Sequence, residues 1–187
     1  MSKKILNRKI LSITLIAVLA IVVISGCTAP KEVHTINYNG RIITFRADLN
    51  KARLVPVSPD EITLKNLFLN SSVNTINLTF VDNTTENGFY AVGAYELTYK
   101  LTLIKNDLGL NYNVSVTPVE NIDQMVPMNN TVYVFFAGPS QSDETSVKVE
   151  DNKVFVNARS FAEINRKYTD LDLAVDKILL ILMEDAS

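Results

Sequence analysis

The sequence predicts an α/β domain, with α+β as the alternative, built on a mixed β-sheet with about three helices. Residues Thr131–Phe136 are almost all β-branched or aromatic, as in a strand that is buried on both faces of a parallel sheet. Two turn-forming pairs, Asn39-Gly40 and Asp151-Asn152, each separate two β-prone segments and predict hairpins. Residues Asp170–Met183 carry a wide apolar face at helical spacing, which predicts a helix that packs on the sheet.

The first predicted elements are a hairpin and a helix. The hairpin strands are Val33–Tyr38 and Arg41–Ala47, on either side of the Asn39-Gly40 turn. Ser58 is expected to cap the helix, with Pro59 at the first helical position and Glu61 completing a capping box. The apolar residues that follow extend this helix to about Leu69.

A strand, a polar loop and a second helix are expected next. Val73–Val81 alternates and is rich in β-branched residues, which predicts a strand before the polar loop Asn83–Gly88. Phe89–Ile104 has the Tyr, Val and Thr content of a strand. We favour a helix, because its apolar residues lie three or four positions apart and Glu96 and Lys100 form a favourable i,i+4 pair.

The remaining elements are mostly strands. They are predicted at Asn113–Thr117, Thr131–Phe136, Ser146–Glu150 and Lys153–Ala158, the last two forming the second hairpin. Thr169 is expected to cap the final helix, and Asp170 and Asp172 lie where the helix dipole favours acids. The expected order is therefore β-β-α-β-α-β-β-β-β-α.

The N-terminus has the pattern of an export signal. Lys3, Lys4, Arg8 and Lys9 come before the apolar run Ile10–Ile24, with no acid among them. About fifteen apolar residues fall short of the ~20 that cross a bilayer comfortably. We therefore favour a signal segment, and a permanent transmembrane helix remains the alternative.

The apolar run ends at the only cysteine of the chain. Ile24-Ser25-Gly26-Cys27 resembles the lipobox of prokaryotic lipoprotein precursors. The resemblance implies cleavage before Cys27 and a diacylglyceryl thioether on its sulfur, and two acyl chains anchor a protein stably. We expect a signal or membrane segment at 1–26, a lipid-anchored tether at 27–32 and a single extracytoplasmic domain at 33–187.

Composition argues against several functions. Removal of residues 1–26 takes away four of the 18 Lys and Arg and none of the 20 Asp and Glu, so the remainder carries a net charge of −6. Such a surface disfavours nucleic acid as a partner. A lipidated Cys27 and the lone His34 offer no pair for Cys/His catalysis or zinc binding, so we expect no catalytic residues, metal or cofactor.

Asparagine-linked glycosylation is the next prediction. Five segments fit the N-x-[ST] acceptor pattern, at Asn70, Asn77, Asn83, Asn113 and Asn129. They indicate an exterior glycoprotein of an archaeon or another glycosylating prokaryote. A compositional bias towards Asn and Thr is the alternative.

The candidate ligand site is the loop Gly138–Thr145, which follows the buried strand at the end where α/β sheets gather ligands. Its candidate binding residues are Gly138, Ser140, Ser142 and Thr145. A solvated connection is the alternative. Asp82 with Glu86 forms a weaker candidate, a glycosidase carboxylate pair, and Tyr90, Tyr95 and Tyr99 are expected to be core and rim residues.

The leading functional hypothesis is a lipoprotein exposed on the extracytoplasmic side of the cell membrane, acting as a non-enzymatic binding or envelope-structural module. Its expected partners are the membrane and an envelope protein or glycan. A small cell-surface hydrolase that uses the loop at 138–145 is one alternative, and a solute-capture lipoprotein of a transporter is the other.

Overall fold

A computed structural model of the protein describes residues 34–82, 85–122, 128–164 and 168–184. The strands are β1 (His34–Tyr38), β2 (Arg41–Phe45), β3 (Val57–Ser58), β4 (Thr75–Val81), β5 (Asn113–Val119), β6 (Thr131–Ala137), β7 (Ser146–Glu150) and β8 (Lys153–Asn157). The helices are α1 (Leu49–Arg53), α2 (Glu61–Leu69), α3 (Asn87–Ile104) and α4 (Asp170–Met183). The predicted signal segment, the tether and Cys27 lie outside the described residues.

The main sheet has six strands in the order β3-β7-β8-β6-β4-β5. β8, β6, β4 and β5 run parallel, β7 is antiparallel to β8, and β3 is parallel to β7. All seven residues of β6 are buried, as expected for a central strand covered on both faces. The predicted mixed sheet is confirmed.

Both hairpins are confirmed, and the turn residues explain them. β1 and β2 pair antiparallel as a separate two-stranded sheet that closes at Tyr38 and Arg41. Asn39 and Gly40 between them have φ angles of 49° and 80°, the left-handed values that a two-residue hairpin turn requires. Asp151 takes the same role between β7 and β8, with φ 53°.

The predicted cap of α2 was wrong. Ser58 belongs to β3, and the helix begins at Glu61, so Pro59 lies before it. Asp60 is the N-cap instead, and its carboxylate accepts the backbone N–H and the hydroxyl of Thr63. Ser58 is not available as a cap because it pairs with β7, and Asp60 is the next residue whose side chain can accept the N–H groups of the first turn.

Four further features differ from the expectation. α1 and β3 were missed because each is too short to carry a hydrophobic period. α3 is the helix that we favoured for this segment, but it begins at Asn87, inside the predicted polar loop. β5 continues two residues beyond Thr117 to Val119, through Pro118, which an edge strand tolerates.

Helix α4 is the centre of the fold. Every one of its residues is buried, not only its predicted apolar face, and it contacts α1, α2, α3, β7 and β8. Its first turn carries the predicted Thr169 cap, and Asp172 makes this a reciprocal capping box. At the crossing with α3, a Cβ atom on Gly93 would lie 3.0 Å from the Leu171 side chain, so the glycine permits the close approach of the two helices.

One buried ion pair joins α3 to α4. The Lys100 Nζ lies 3.0 Å from Asp176 Oδ1 and 3.0 Å from Glu96 Oε2, and Lys100 is only 1% exposed. The second oxygen of Asp176 accepts the backbone N–H of Ala47 at 3.0 Å, and the ammonium group lies over the Phe45 ring. Burial raises the pKa of Asp176, although Lys100 and the Ala47 N–H act in the opposite direction.

We predict that Lys100→Met lowers the free energy of unfolding by about 3 to 5 kcal/mol, because it leaves the Asp176 carboxylate buried without its cation. The double variant Lys100→Met/Asp176→Leu should recover part of that loss, because it removes the buried charge but leaves the Ala47 N–H without its acceptor. Urea denaturation of the full chain measures both. Lys148→Met is the control: this lysine pairs with Glu150 at the surface, so no measurable change is expected. A double variant no more stable than Lys100→Met would contradict this account.

Candidate functional site

The carboxyl ends of three adjacent parallel strands meet at one edge of the sheet. β4 leads into α3, β6 leads into the loop at 138–145, and β8 leads into the connection that ends at the start of α4. This edge is where open α/β sheets place their ligands.

Glu86 holds two of these connections together. Its Oε1 accepts the backbone N–H of Ser140 at 3.1 Å, and its Oε2 accepts the Ser140 hydroxyl at 2.7 Å. The Tyr90 hydroxyl, one helical turn further on, donates to the same Oε2 at 2.6 Å and accepts the backbone N–H of Gly138 at 2.9 Å. The four residues form a hydrogen-bonded network in which Ser140 and Tyr90 donate to the Glu86 carboxylate and Gly138 donates to the Tyr90 oxygen.

The network sets the acidity of its two titratable groups. Burial acts to raise the pKa of Glu86, but the hydrogen bonds from Ser140 and Tyr90 outweigh it and hold that pKa below its ordinary value. Burial, together with the adjacent carboxylate, raises the pKa of the Tyr90 phenol. Glu86 is therefore a stable anion and Tyr90 a stable neutral donor.

Phe161, from the connection after β8, fills the space above this network. Its ring stacks on Phe89 at 4.3 Å between centroids and meets the Tyr90 ring edge-on at 5.8 Å. A Cβ atom on Gly138 would lie 2.6 Å from the Phe161 ring and 2.7 Å from the Tyr90 oxygen. Glycine is thus needed at 138, because a larger side chain would collide with the Phe161 ring and the Tyr90 oxygen.

The predicted loop residues make separate contacts. Ser140 bonds to Glu86, whereas the Ser142 hydroxyl donates to the backbone oxygen of Glu144 and Thr145 accepts the backbone N–H of Arg159. Gly138 contributes its N–H to Tyr90. Only Gly138 and Ser140 belong to the Glu86 network.

The sequence predicts a carboxylate pair of Glu86 with Asp82, but the structure gives Glu86 other partners. Asp82 accepts a hydrogen bond from the Asn87 side chain at 2.6 Å, while Glu86 bonds to Ser140 and Tyr90. Two features of the sequence point to this network. Glu86 and Tyr90 are spaced by one helical turn, and Glu86 follows β4. Phe161 carries no such signal.

A cavity of about 260 Å³ lies beside Phe89, between the beginnings of α3 and α4. Its apolar walls are Phe89, Val92 and Tyr168, and Phe89 and Val92 are both partly exposed. Polar side chains from the residue after β2, from the connection after β8 and from the first turn of α4 also belong to its lining. No predicted site residue belongs to this lining.

The charges around the cavity leave one acid without a partner. The Arg46 Nε lies 3.3 Å from Asp172 Oδ1, and the other oxygen of Asp172 accepts both the N–H and the hydroxyl of Thr169. Glu163 lines the same cavity and is exposed, and among the described residues nothing bonds to its carboxylate. Among the described lining residues, the cavity therefore combines aromatic walls with one more acid than base.

The predicted glycan acceptors differ in accessibility. Asn70, Asn113 and Asn129 are exposed. Asn77 is only 7% exposed, in the middle of β4, so its side chain is inaccessible to a glycosylating enzyme once the chain has folded. Asn83 lies outside the described residues.

In the described part of the chain, no three His, Cys, Asp or Glu side chains are grouped to hold a metal ion. Within the same residues, no helix has the length and apolar character to span a bilayer. No protein-family model matches the chain, and no curated protein or solved structure is significantly similar to it.

We predict that Glu86→Gln destabilises the protein by about 1.5 to 3 kcal/mol at neutral pH. The neutral amide oxygen of glutamine accepts hydrogen bonds from Ser140 and Tyr90 more weakly than the carboxylate does. The pKa of Glu86 is lowered in the folded state, so its contribution is present above the ordinary pKa and is lost as the pH falls through the folded value. The difference in unfolding free energy from wild type should therefore hold from about pH 7 to about pH 5 and shrink as the pH falls further, towards about pH 3.

Urea denaturation across that pH range measures this difference, with Glu120→Gln, at an exposed glutamate, as the control. A difference that stays constant with pH would contradict the proposed charge-assisted bonding of Glu86.

Proposed function

We propose that this protein is a membrane-anchored lipoprotein on the extracytoplasmic side of the cell, whose folded domain binds a small ligand rather than catalysing a reaction. The observation that carries the binding role is the cavity between the beginnings of α3 and α4. The anchor rests on the lipobox-like segment that ends at Cys27. Envelope proteins or glycans are the surroundings in which such a domain would work.

The chemistry of the cavity favours a small organic cation with an apolar body. Phe89 offers an aromatic ring, to which cations are attracted, whereas the Tyr168 ring already lies 5.9 Å from the Lys51 ammonium. Arg46 and Asp172 neutralise one another, so Glu163 supplies the net charge that would attract an ammonium group. A partly apolar cavity with few polar groups is the usual form of a small-molecule site.

A hydrolase is the second candidate, supported by the 2.7 Å contact between the Ser140 hydroxyl and Glu86. A general base works best when its pKa lies near the working pH. The lowered pKa of Glu86 makes it a poor base, and its Oε2 also accepts the Tyr90 hydroxyl. Binding is therefore the better-supported role. Solute capture for a transporter would use the same cavity.

The anchor is tested by Cys27→Ser, which removes the proposed lipid attachment atom. Wild type should partition into the detergent phase and carry the mass of a diacylglyceryl group, while the variant should persist as an unprocessed precursor or leave the membrane. Ser25→Ala is the matched control, because it keeps a small residue before the cysteine. Identical partitioning and an uncleaved N-terminus in all three would instead support a transmembrane anchor.

The cavity is tested with phenethylammonium and 3-phenylpropionate, which share an apolar body and differ in charge. Calorimetry should detect binding of the cation only. Glu163→Gln should weaken it about tenfold, or ~1.4 kcal/mol, and Val92→Trp should abolish it by filling the space. Tyr95→Trp, on the exposed side of the same helix but outside the cavity lining, should bind normally. Equal binding of both probes, or binding that survives Val92→Trp, would contradict the proposal.

A further inference from the structure

Strand β5 forms one edge of the main sheet. Among the described strands it pairs with β4 alone. Ser115, Val116, Thr117 and Pro118 are all exposed, although successive residues of a strand point to opposite faces, so neither face of this stretch is covered. Val116 in particular is 50% exposed.

The backbone bonds at the two ends of β5 identify the groups that point away from the sheet. The Asn113 N–H donates to Asn74, and the Val119 carbonyl accepts the N–H of Asp82. Because backbone groups alternate in direction along a strand, the odd-numbered residues face β4 and Val114, Val116 and Pro118 face outward. Pro118 thus lies at a position where the missing N–H removes no hydrogen bond to β4.

We propose that a second copy of this chain adds to this edge, with the two β5 strands antiparallel about a two-fold axis at Ser115. In that register Val114 of one copy lies opposite Val116 of the other, and both residues have an outward N–H and an outward carbonyl. The mutual bonds of these valines satisfy the outward N–H and carbonyl groups of Val114 and Val116 in both copies. Strand addition at an open edge is a common mode of recognition.

Charge favours a second copy as the occupant. The chain carries more acids than bases, yet residues 113–119 contain no charged side chain. Two copies can therefore pair here without placing like charges opposite each other, which would be destabilising. Sheet edges are usually protected by a charged residue or a proline. Here the outward Pro118 limits the open stretch to residues 114–116, and no charge protects that part.

The other edge of the sheet favours a closed dimer over a polymer. β3, at the opposite end of the strand order, has only two residues. A head-to-tail array would require β5 to pair with β3, which offers too little backbone. The symmetric β5 contact closes on itself.

The test is cysteine cross-linking of the full-length chain in intact cells under mild oxidation. Ser115 would face its own symmetry mate in a pair that shares no backbone hydrogen bonds, with about 4.5 Å between Cα atoms, within the ~4.4 to 6.8 Å range of a disulfide. Ser115→Cys should give a dimer in several-fold higher yield than Ile62→Cys, an exposed position on α2. Wild type gives the background from Cys27.

A second substitution separates pairing from chance collision. Val116→Pro removes an outward N–H and no donor to β4, so Ser115→Cys/Val116→Pro should keep its circular dichroism spectrum and lose the cross-link. A cross-link that survives the proline, or a yield no higher than for Ile62→Cys, overturns the proposal.

The same experiment separates other arrangements from the proposed one. A yield that peaks at Val116→Cys keeps the dimer and overturns the register. A cross-linked product of a different mass overturns the second copy in favour of another protein. A dimer that forms only after Asn113→Gln means that a glycan blocks the edge, and overturns pairing in the native chain.

Discussion

The fold depends on how the polar side chains of α4 are bonded within a buried helix. Apolar burial holds this helix in the core but is non-directional, so it does not by itself fix the rotation of the helix. Asp172, Asp176 and Lys177 do so by contacting different elements. Asp172 pairs with Arg46 after β2, Asp176 pairs with Lys100 of α3, and Lys177 bonds to Glu61 of α2 and the backbone oxygen of Arg53. Each contact joins segments distant in sequence, so the helix orders the layer that packs on the sheet.

That arrangement also creates the sites at the carboxyl edge of the sheet. The pairing of β4, β6 and β8 brings three connections together, and Glu86 bonds the first to the second. In the third connection, which follows β8, Phe161 lies over this network. The connection ends at the capped start of α4. Because Phe161 occupies the position above Gly138, the open space lies to one side of it, between α3 and α4. The position of the cavity thus follows from the aromatic packing.

Much of the fold could be predicted from the sequence because its signals are local. The turn pairs at Asn39 and Asp151, the cap at Thr169 and the apolar strand β6 are each encoded within a few residues. The cap at Ser58 failed because Ser58 pairs with β7 and Asp60 caps the helix instead. Residues near the candidate site were harder to assign. Ser140 and Glu86 are 54 positions apart and meet only through strand pairing, and Phe161 and Glu163 lie in a connection with no period at all.

The two proposed contact surfaces differ in what their residues leave unsatisfied. At the cavity a side-chain charge has no partner among the described residues, because Arg46 is already bonded to Asp172 and leaves Glu163 alone. At β5 the unsatisfied groups belong to the backbone, and the side chains are neutral. A charge near aromatic rings selects a ligand by its charge and shape, whereas outward N–H and carbonyl groups select any extended chain that presents the complementary pattern. Val114 and Val116 each present both an outward N–H and an outward carbonyl, so an identical antiparallel strand matches them group for group.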